Sequence, residues 1–306
     1  MFKNEHMKVN AMKKQLFTGS GVAIVTPMNA DGTVNFESLT QLLDFHIQSG
    51  TDAIISCGTT GEASTLNDAE HLDVIEHCVK VVNKRIPVIA GTGSNDTRHA
   101  IELSKNASIR GADGILQVTP YYNKTSQSGL LRHFTSIADA VGLPVILYNV
   151  PSRTGMSISV DTYRELAKHP LIIATKEASG DISLIANIAQ VCGDALAIYS
   201  GNDDQILPIL SLGGIGVISV LANVMPQETH DICHLYFSGR VQESLALQMQ
   251  TLPLNNALFC DVNPIPVKAA VGLMGYDAGA CRLPLGDLAP EKLDMLRAEM
   301  QRQGII

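Results

Sequence analysis

The sequence predicts an α/β protein, a (β/α)8 TIM barrel with a C-terminal helical appendage. Eight short, nearly continuous apolar runs recur about every 20 to 34 residues, the pattern of parallel strands covered on both faces. Amphipathic stretches fill the gaps, so strand and helix alternate eight times. Polar, aromatic and glycine residues gather at the C-terminal ends of the runs, while the opposite ends open plainly on "RIP", "GLP" and "KHP". A doubly wound open sheet is the competing reading. It usually offers fewer strands and a glycine-rich first turn, and no GxGxxG follows the first run here.

Residues 1–15 are charged and carry no apolar stretch of signal-peptide length, so they are expected to form a disordered extension. The first strand run is "GVAIVTP" (21–27). "NFESLTQLLDFHIQSG" then sets Phe36, Leu39, Leu42, Leu43 and Ile47 at helical spacing, with Gly50 as a stop. "AIISCG" (53–58), "PVIAGTG" (87–93) and "DGILQVTP" (113–120) follow, separated by the helical stretches "NDAEHLDVIEHCVKVVNK" and "TRHAIELSKNASIRG". "PVILYNV" (144–150), "LIIATKEAS" (171–179), "LAIYSGND" (196–203) and "IGVISV" (215–220) complete the eight. After residue 225 the strand signal stops. The barrel is expected over 16–239 and the helical appendage over 240–306, packed tightly because no low-complexity linker divides them.

Composition narrows the function classes. The chain has 306 residues, 45% of them hydrophobic, and a net charge of −8. That is ample for a large core, and without clustered basic residues it does not suit nucleic acid. No apolar run is long enough to span a bilayer. Six scattered cysteines with no CxxC pair read as free thiols, and a cytoplasmic location is expected. The nine histidines form no HExxH or HxH run, and His71 and His77 are off one helical face, so no metal site is expected.

Candidate chemistry lies where the strand ends carry unusual polar residues. Lys176 closes an apolar strand in "LIIATKEASG". An amine held in a barrel mouth is a nucleophile towards a carbonyl carbon, and the resulting Schiff base is an electron sink for making or breaking an adjacent C–C bond. The plainer readings are a lysine paired with Glu177 or one whose amine reaches solvent; Glu177 itself, by alternation, points away and is structural. Lys268 in "NPIPVKAA" is expected in a helical or surface setting. Tyr148 ends the neighbouring fifth strand, where a phenol can move protons or simply fill the barrel end. "GTTGE" offers Thr59, Thr60 and backbone N–H groups before a helix, suited to a carboxylate or to an ordinary cap. Arg153, in a Pro/Ser-rich loop, can grip a carboxylate bidentately or stay on the surface.

Five motifs in order make the chain recognisable: "GTTGE" (58–62), "YNVPSRTG" (148–155), "TKEASGD" (175–181), "SGND" (200–203) and "NPIPVK" (263–268). Together they resemble the dihydrodipicolinate synthase family of pyruvate-dependent class I aldolases, from about residue 16 to "CRLPLGDLAP". The resemblance implies that Lys176 forms a Schiff base with pyruvate, which condenses with L-aspartate-4-semialdehyde in lysine and diaminopimelate biosynthesis. It implies Tyr148 as the proton-transfer tyrosine, Thr60 and Thr59 at the pyruvate carboxylate and its relay, and Tyr122 as a relay tyrosine lent to an adjacent subunit. Arg153 would bind the semialdehyde carboxylate, and Gly201 and Ile218 would line the pyruvate pocket. No metal or other cofactor is implied. Partners would be further copies of the chain, as a dimer of dimers, with neither nucleic acid nor membrane. The N-acetylneuraminate lyase branch is the alternative, disfavoured because it usually lacks the "PSRTG" loop. In feedback-inhibited members lysine binds among residues that map to Ser64, Asp68, His71, Asn95, His99 and Tyr121. Those members tend to carry glutamate where His99 stands, so weak or absent lysine inhibition is expected.

Overall fold

The computed structural model describes residues 13–306. Eight parallel strands close into one barrel in sequence order: β1 (Gly19–Ala23), β2 (Ala53–Ser56), β3 (Val88–Gly91), β4 (Gly114–Val118), β5 (Val145–Asn149), β6 (Ile172–Glu177), β7 (Ala197–Ser200) and β8 (Gly216–Ser219). The ring shuts where β1 pairs with β8, Gly21 beside Ile218. Every expected strand is present. The strands stop short of the apolar runs at their C-terminal ends, as at Ala23, after which Ile24 and Val25 stay buried in the loop. Ile24 still donates its N–H to the Ile55 carbonyl of β2 at 3.1 Å, so the apolar run marks buried backbone that continues past the strand end.

Local chemistry starts the helices. Asn35, Asp96, Ser126, Ser159 and Asp181 each accept a first-turn backbone N–H, and Asn67 with Glu70 forms a reciprocal capping box. Helix Phe36–Gln48 ends beside Gly50, whose φ of 82° is the left-handed geometry expected of a helix stop.

Inside the barrel, Ile55, Ile89, Leu116, Ile146, Ile173, Tyr199 and Ile218 form a packed plug. Larger apolar clusters lie between the strands and the surrounding helices. Tyr199 stacks on Phe17 at 4.4 Å and donates its hydroxyl to the Phe17 carbonyl at 2.7 Å, sealing one end.

Of the expected extension, residues 1–12 lie outside the described residues. Lys13 does not belong to a frayed tail: its ammonium donates to the carbonyls of Ala167, His169 and Ile172 at 2.6, 2.7 and 2.8 Å. It thereby satisfies the open end of helix Val160–Leu166 and the entry of β6.

Beyond β8 the chain forms helices Pro226–Phe237, Val241–Leu258, Ile265–Leu273 and Pro290–Arg302. Arg282 ties the loop before the last of these back onto the barrel. Its guanidinium bonds the carbonyls of Gly32 and Thr65 at 2.9 and 2.7 Å and both carboxylate oxygens of Glu70 at 2.9 and 2.6 Å. Among the described residues no helix is long and apolar enough to cross a membrane.

Candidate active site

Lys176 and Tyr148 are direct partners across β5 and β6, so their side chains leave the sheet on the same side. Lys176 is 5% exposed. Among the described residues its ammonium has no hydrogen-bond or ion-pair partner; it lies 4.5 Å from the centre of the Tyr148 ring. A buried cation without a counter-charge costs stability, and a ring face offsets only part of that. Glu177 is engaged elsewhere. It points outward and accepts from Asn149 Nδ2 at 2.5 Å, the Tyr163 hydroxyl at 2.8 Å and the Ser179 N–H at 3.1 Å. Burial holds its carboxyl above the usual range, against the pull of these three donors.

Above Lys176 opens a cavity of about 240 Å³ whose wall includes Thr59, Thr60, Tyr148, Arg153, Gly201 and Asn263. Gly201 has no room for a side chain: a Cβ would stand 2.6 Å from that of Ala178. Its N–H donates to the Glu177 carbonyl at 2.7 Å, drawing β7 close to the lysine strand.

One expected residue lies elsewhere. Ile218 is not on the cavity wall; it is wholly buried in the barrel plug, and Val220 takes the wall position. Side chains two apart share a face, and 218 is one layer deeper than the rim. Tyr122 is 93% exposed with φ of 68°, and does not reach the cavity of its own chain.

The structure adds residues that sequence reasoning did not single out. Asn263 donates from Nδ2 to Thr60 Oγ1 at 3.0 Å, while its carbonyl accepts from Arg153 Nη2 at 3.1 Å. Asp203, inside "SGND", is buried and accepts the N–H groups of Val220 and Leu221 at 2.9 and 3.0 Å, joining the ends of β7 and β8. Burial raises its carboxyl, opposed in part by those donors and by the charge of Lys176. Lys268 lies in a helix, one of the two settings expected of it, but not at the surface. It is buried and donates to Glu62 Oε1 at 2.6 Å and to the Ala280 carbonyl at 2.9 Å. Glu62, at a left-handed φ of 56°, turns its carboxylate inward from the "GTTGE" loop to meet it.

A second cavity, of about 290 Å³, shares Thr59, Tyr148 and Arg153 with the first and is lined further by Ser64, Asp68, His71, His99 and Tyr121. His99 Nε2 is 3.0 Å from Asp68 Oδ1, and its Nδ1 is 3.1 Å from Ser94 Oγ. His71 Nε2 bonds the Gly91 carbonyl at 2.8 Å, and burial holds its imidazole below the usual range. Asn95 stands beside this wall, donating to the Tyr121 carbonyl at 3.2 Å.

Known proteins resemble this chain over nearly its whole length. The profile of the Dihydrodipicolinate synthetase family matches residues 16–303. A 4-hydroxy-tetrahydrodipicolinate synthase of Clostridium perfringens is 55% identical over 291 residues, 95% of this chain and 100% of its own. The crystal structure of a dihydrodipicolinate synthase from Aquifex aeolicus superposes with a TM-score of 0.93 at 43% identity, covering 94% of this chain and 99% of that one. A chloride-inhibited dihydrodipicolinate synthase from Acinetobacter baumannii, complexed with pyruvate, gives 0.93 at 47% identity, with coverage of 94% and 99%.

Proposed function

The chain belongs to the dihydrodipicolinate synthetase family, and from that premise we infer that it condenses pyruvate with L-aspartate-4-semialdehyde to 4-hydroxy-tetrahydrodipicolinate, a step of lysine and diaminopimelate biosynthesis. One observation carries the chemical reading: a buried lysine with no charge partner, set against a tyrosine ring and opening into a cavity walled by hydroxyls and an arginine.

In this reading Lys176 Nζ first gives up a proton to become the free amine, then attacks C2 of pyruvate, and the carbinolamine loses water to give an iminium. The hydroxyls of Thr59 and Thr60 hold the pyruvate carboxylate. The iminium draws electrons from C3, whose proton leaves through the Tyr148 hydroxyl as the phenol passes its own proton on along the relay of Thr59 and a neighbour's Tyr122, producing an enamine. C3 of the enamine then bonds the aldehyde carbon of the semialdehyde, and the aldehyde oxygen takes a proton to become the hydroxyl. The α-amine of the same substrate attacks C2, closing the ring and releasing Lys176. Because the Schiff base itself is the electron sink, the reading calls on no metal or organic cofactor. Arg153 binds the semialdehyde carboxylate, which favours a small carboxylate-bearing aldehyde over the sugar substrate of N-acetylneuraminate lyase.

Tyr122 supports an oligomeric reading. An aromatic side chain 93% exposed at the rim suits a neighbour's site better than its own, which in this reading makes a dimer the smallest complete unit and a dimer of dimers its extension. Six free cysteines favour a reducing, cytoplasmic setting.

Treatment with pyruvate and sodium borohydride, followed by peptide mass spectrometry, tests the reading. A reduced adduct on Lys176 is the expected result. No adduct, or one on another lysine, overturns it. Activity with N-acetylneuraminate in place of the semialdehyde would overturn the choice of acceptor.

A further inference from the structure

Asn263 is 6% exposed and stands on the cavity wall, outside the barrel proper, ahead of helix Ile265–Leu273. Its bonds to Thr60 Oγ1 and Arg153 Nη2 are the only hydrogen bonds that the Thr60 hydroxyl and the Arg153 guanidinium make among the described residues. We propose that Asn263 is a positioning residue for both substrates, setting Thr60 for the pyruvate carboxylate through its side chain and Arg153 for the semialdehyde through its main chain. The inference rests on the aldolase reading above.

The chemistry follows from donor and acceptor capacity. A threonine hydroxyl has one proton and two lone pairs. An amide N–H bound to one lone pair leaves the proton free, and polarises the hydroxyl as a donor towards an anion. The carbonyl of residue 263 takes one N–H of Arg153, fixing a long side chain while its other N–H groups stay available for a carboxylate. Asn263 is itself held at a second point. One turn on, Lys268 is tied to Glu62, two residues beyond Thr60, and Glu62 Oε2 also accepts the Arg282 N–H at 2.8 Å. The threonine loop and the Asn263 segment are therefore pinned together twice, and the C-terminal region forms part of the active site.

The two roles use different atoms, so substitution separates them. In Asn263→Ala the carbonyl survives and the amide does not. The pyruvate KM is expected to rise about 3- to 10-fold, the loss of one hydrogen bond, while the semialdehyde KM stays within about twofold. In Asn263→Asp a carboxylate oxygen takes the Thr60 proton and sets a negative charge beside the bound carboxylate. The pyruvate KM should then rise by about 30-fold or more, and borohydride trapping should need correspondingly more pyruvate. Thermal melts of both variants establish that they fold; if Asn263→Asp does not, Asn263→Ala carries the test. A pyruvate KM within twofold of wild type in the folded variants overturns the proposal, as does an equal rise in both KM values, which a merely structural role would give. A wild-type protein that forms no pyruvate adduct overturns the aldolase reading, and this inference with it. A wild type that forms the adduct, with unchanged variants, overturns the inference alone.

Discussion

Replacing Lys268 and Lys176 separately by methionine probes two buried ammonium groups in opposite circumstances. Lys268 and Glu62 have side chains only 2% and 1% exposed and meet at 2.6 Å. Removing the lysine leaves a buried carboxylate with the Arg282 N–H as its remaining hydrogen-bond partner. Breaking such a pair from one side costs about 3–5 kcal/mol. At about 2–4 °C per kcal/mol, the Lys268→Met melting temperature should fall by about 6–20 °C. Lys176 is buried to a similar degree but touches only the Tyr148 ring, with Asp203 attracting it from beyond bonding distance. Methionine there relieves a desolvation cost of about 1–3 kcal/mol and forfeits a ring contact of about 0.5–2 kcal/mol. Lys176→Met should therefore melt at or slightly above the wild-type temperature, the usual relation between a reactive group and stability. Melts are compared at one protein concentration, since association shifts the midpoint. Pyruvate–borohydride labelling should persist in Lys268→Met and vanish in Lys176→Met. A Lys176→Met protein several degrees less stable, beside a Lys268→Met protein unchanged, would refute the reasoning.

Two further outcomes follow from the histidines. Lysine should inhibit only weakly, because the Asp68 carboxylate in the second cavity is occupied by His99. His99→Glu should tighten inhibition by about 10- to 150-fold, the worth of a charge-assisted bond of about 1.5–3 kcal/mol; sub-millimolar inhibition of the wild type in a lysine titration would contradict this. Burial pushes His46 down to about 3 and His133 down to about 4, so both fold neutral while the unfolded chain titrates near 6.5. Their contribution is complete above about pH 6.5 and is lost as pH falls towards the folded values, about 2 kcal/mol each between pH 7 and 5. Glu177 and Asp203, with raised carboxyls, act in the opposite sense and offset part of the loss. Urea denaturation across pH 5 to 7.5 measures the slope, and a flat profile would refute the assignment.

The barrel was legible because each strand is covered on both faces, and its apolar run is written in consecutive residues. Lys176, Tyr148, Thr59, Thr60, Arg153 and Gly201 were legible as site candidates from their places at strand ends or in the recognised motifs. The cavity wall contains all six. Depth was not legible. Ile218 and Val220 share a face of β8 and its exit, and nothing in the pattern says which lies at the rim. The burial of Lys268 was not legible for a related reason. A lysine in a helix is solvated by default, and what buries this one is a left-handed turn at Glu62, 206 residues away in sequence.

Asn263 lies beyond the reach of strand-end reasoning altogether, and that has a physical cause. A (β/α)8 barrel supplies site residues from the rim loops, so a rule built on the rim looks for chemistry only at strand ends. Here the segment after the barrel folds back onto the rim, and its side-chain bonds there include Arg282 to Glu70, Lys268 to Glu62, and Asn263 to Thr60. The first is part-exposed and the other two are buried, so the fastening becomes drier towards the reacting centre. A charge pair and an amide–hydroxyl bond gain strength as water is excluded and become costly to leave half-made. The docked segment thereby gives Thr60 and Arg153 their hydrogen bonds, and its apolar side chains, Val267, Val271 and Leu296 among them, share one core cluster with the barrel. The helical appendage, separate by its sequence pattern, is for that reason joined to the catalytic barrel in function.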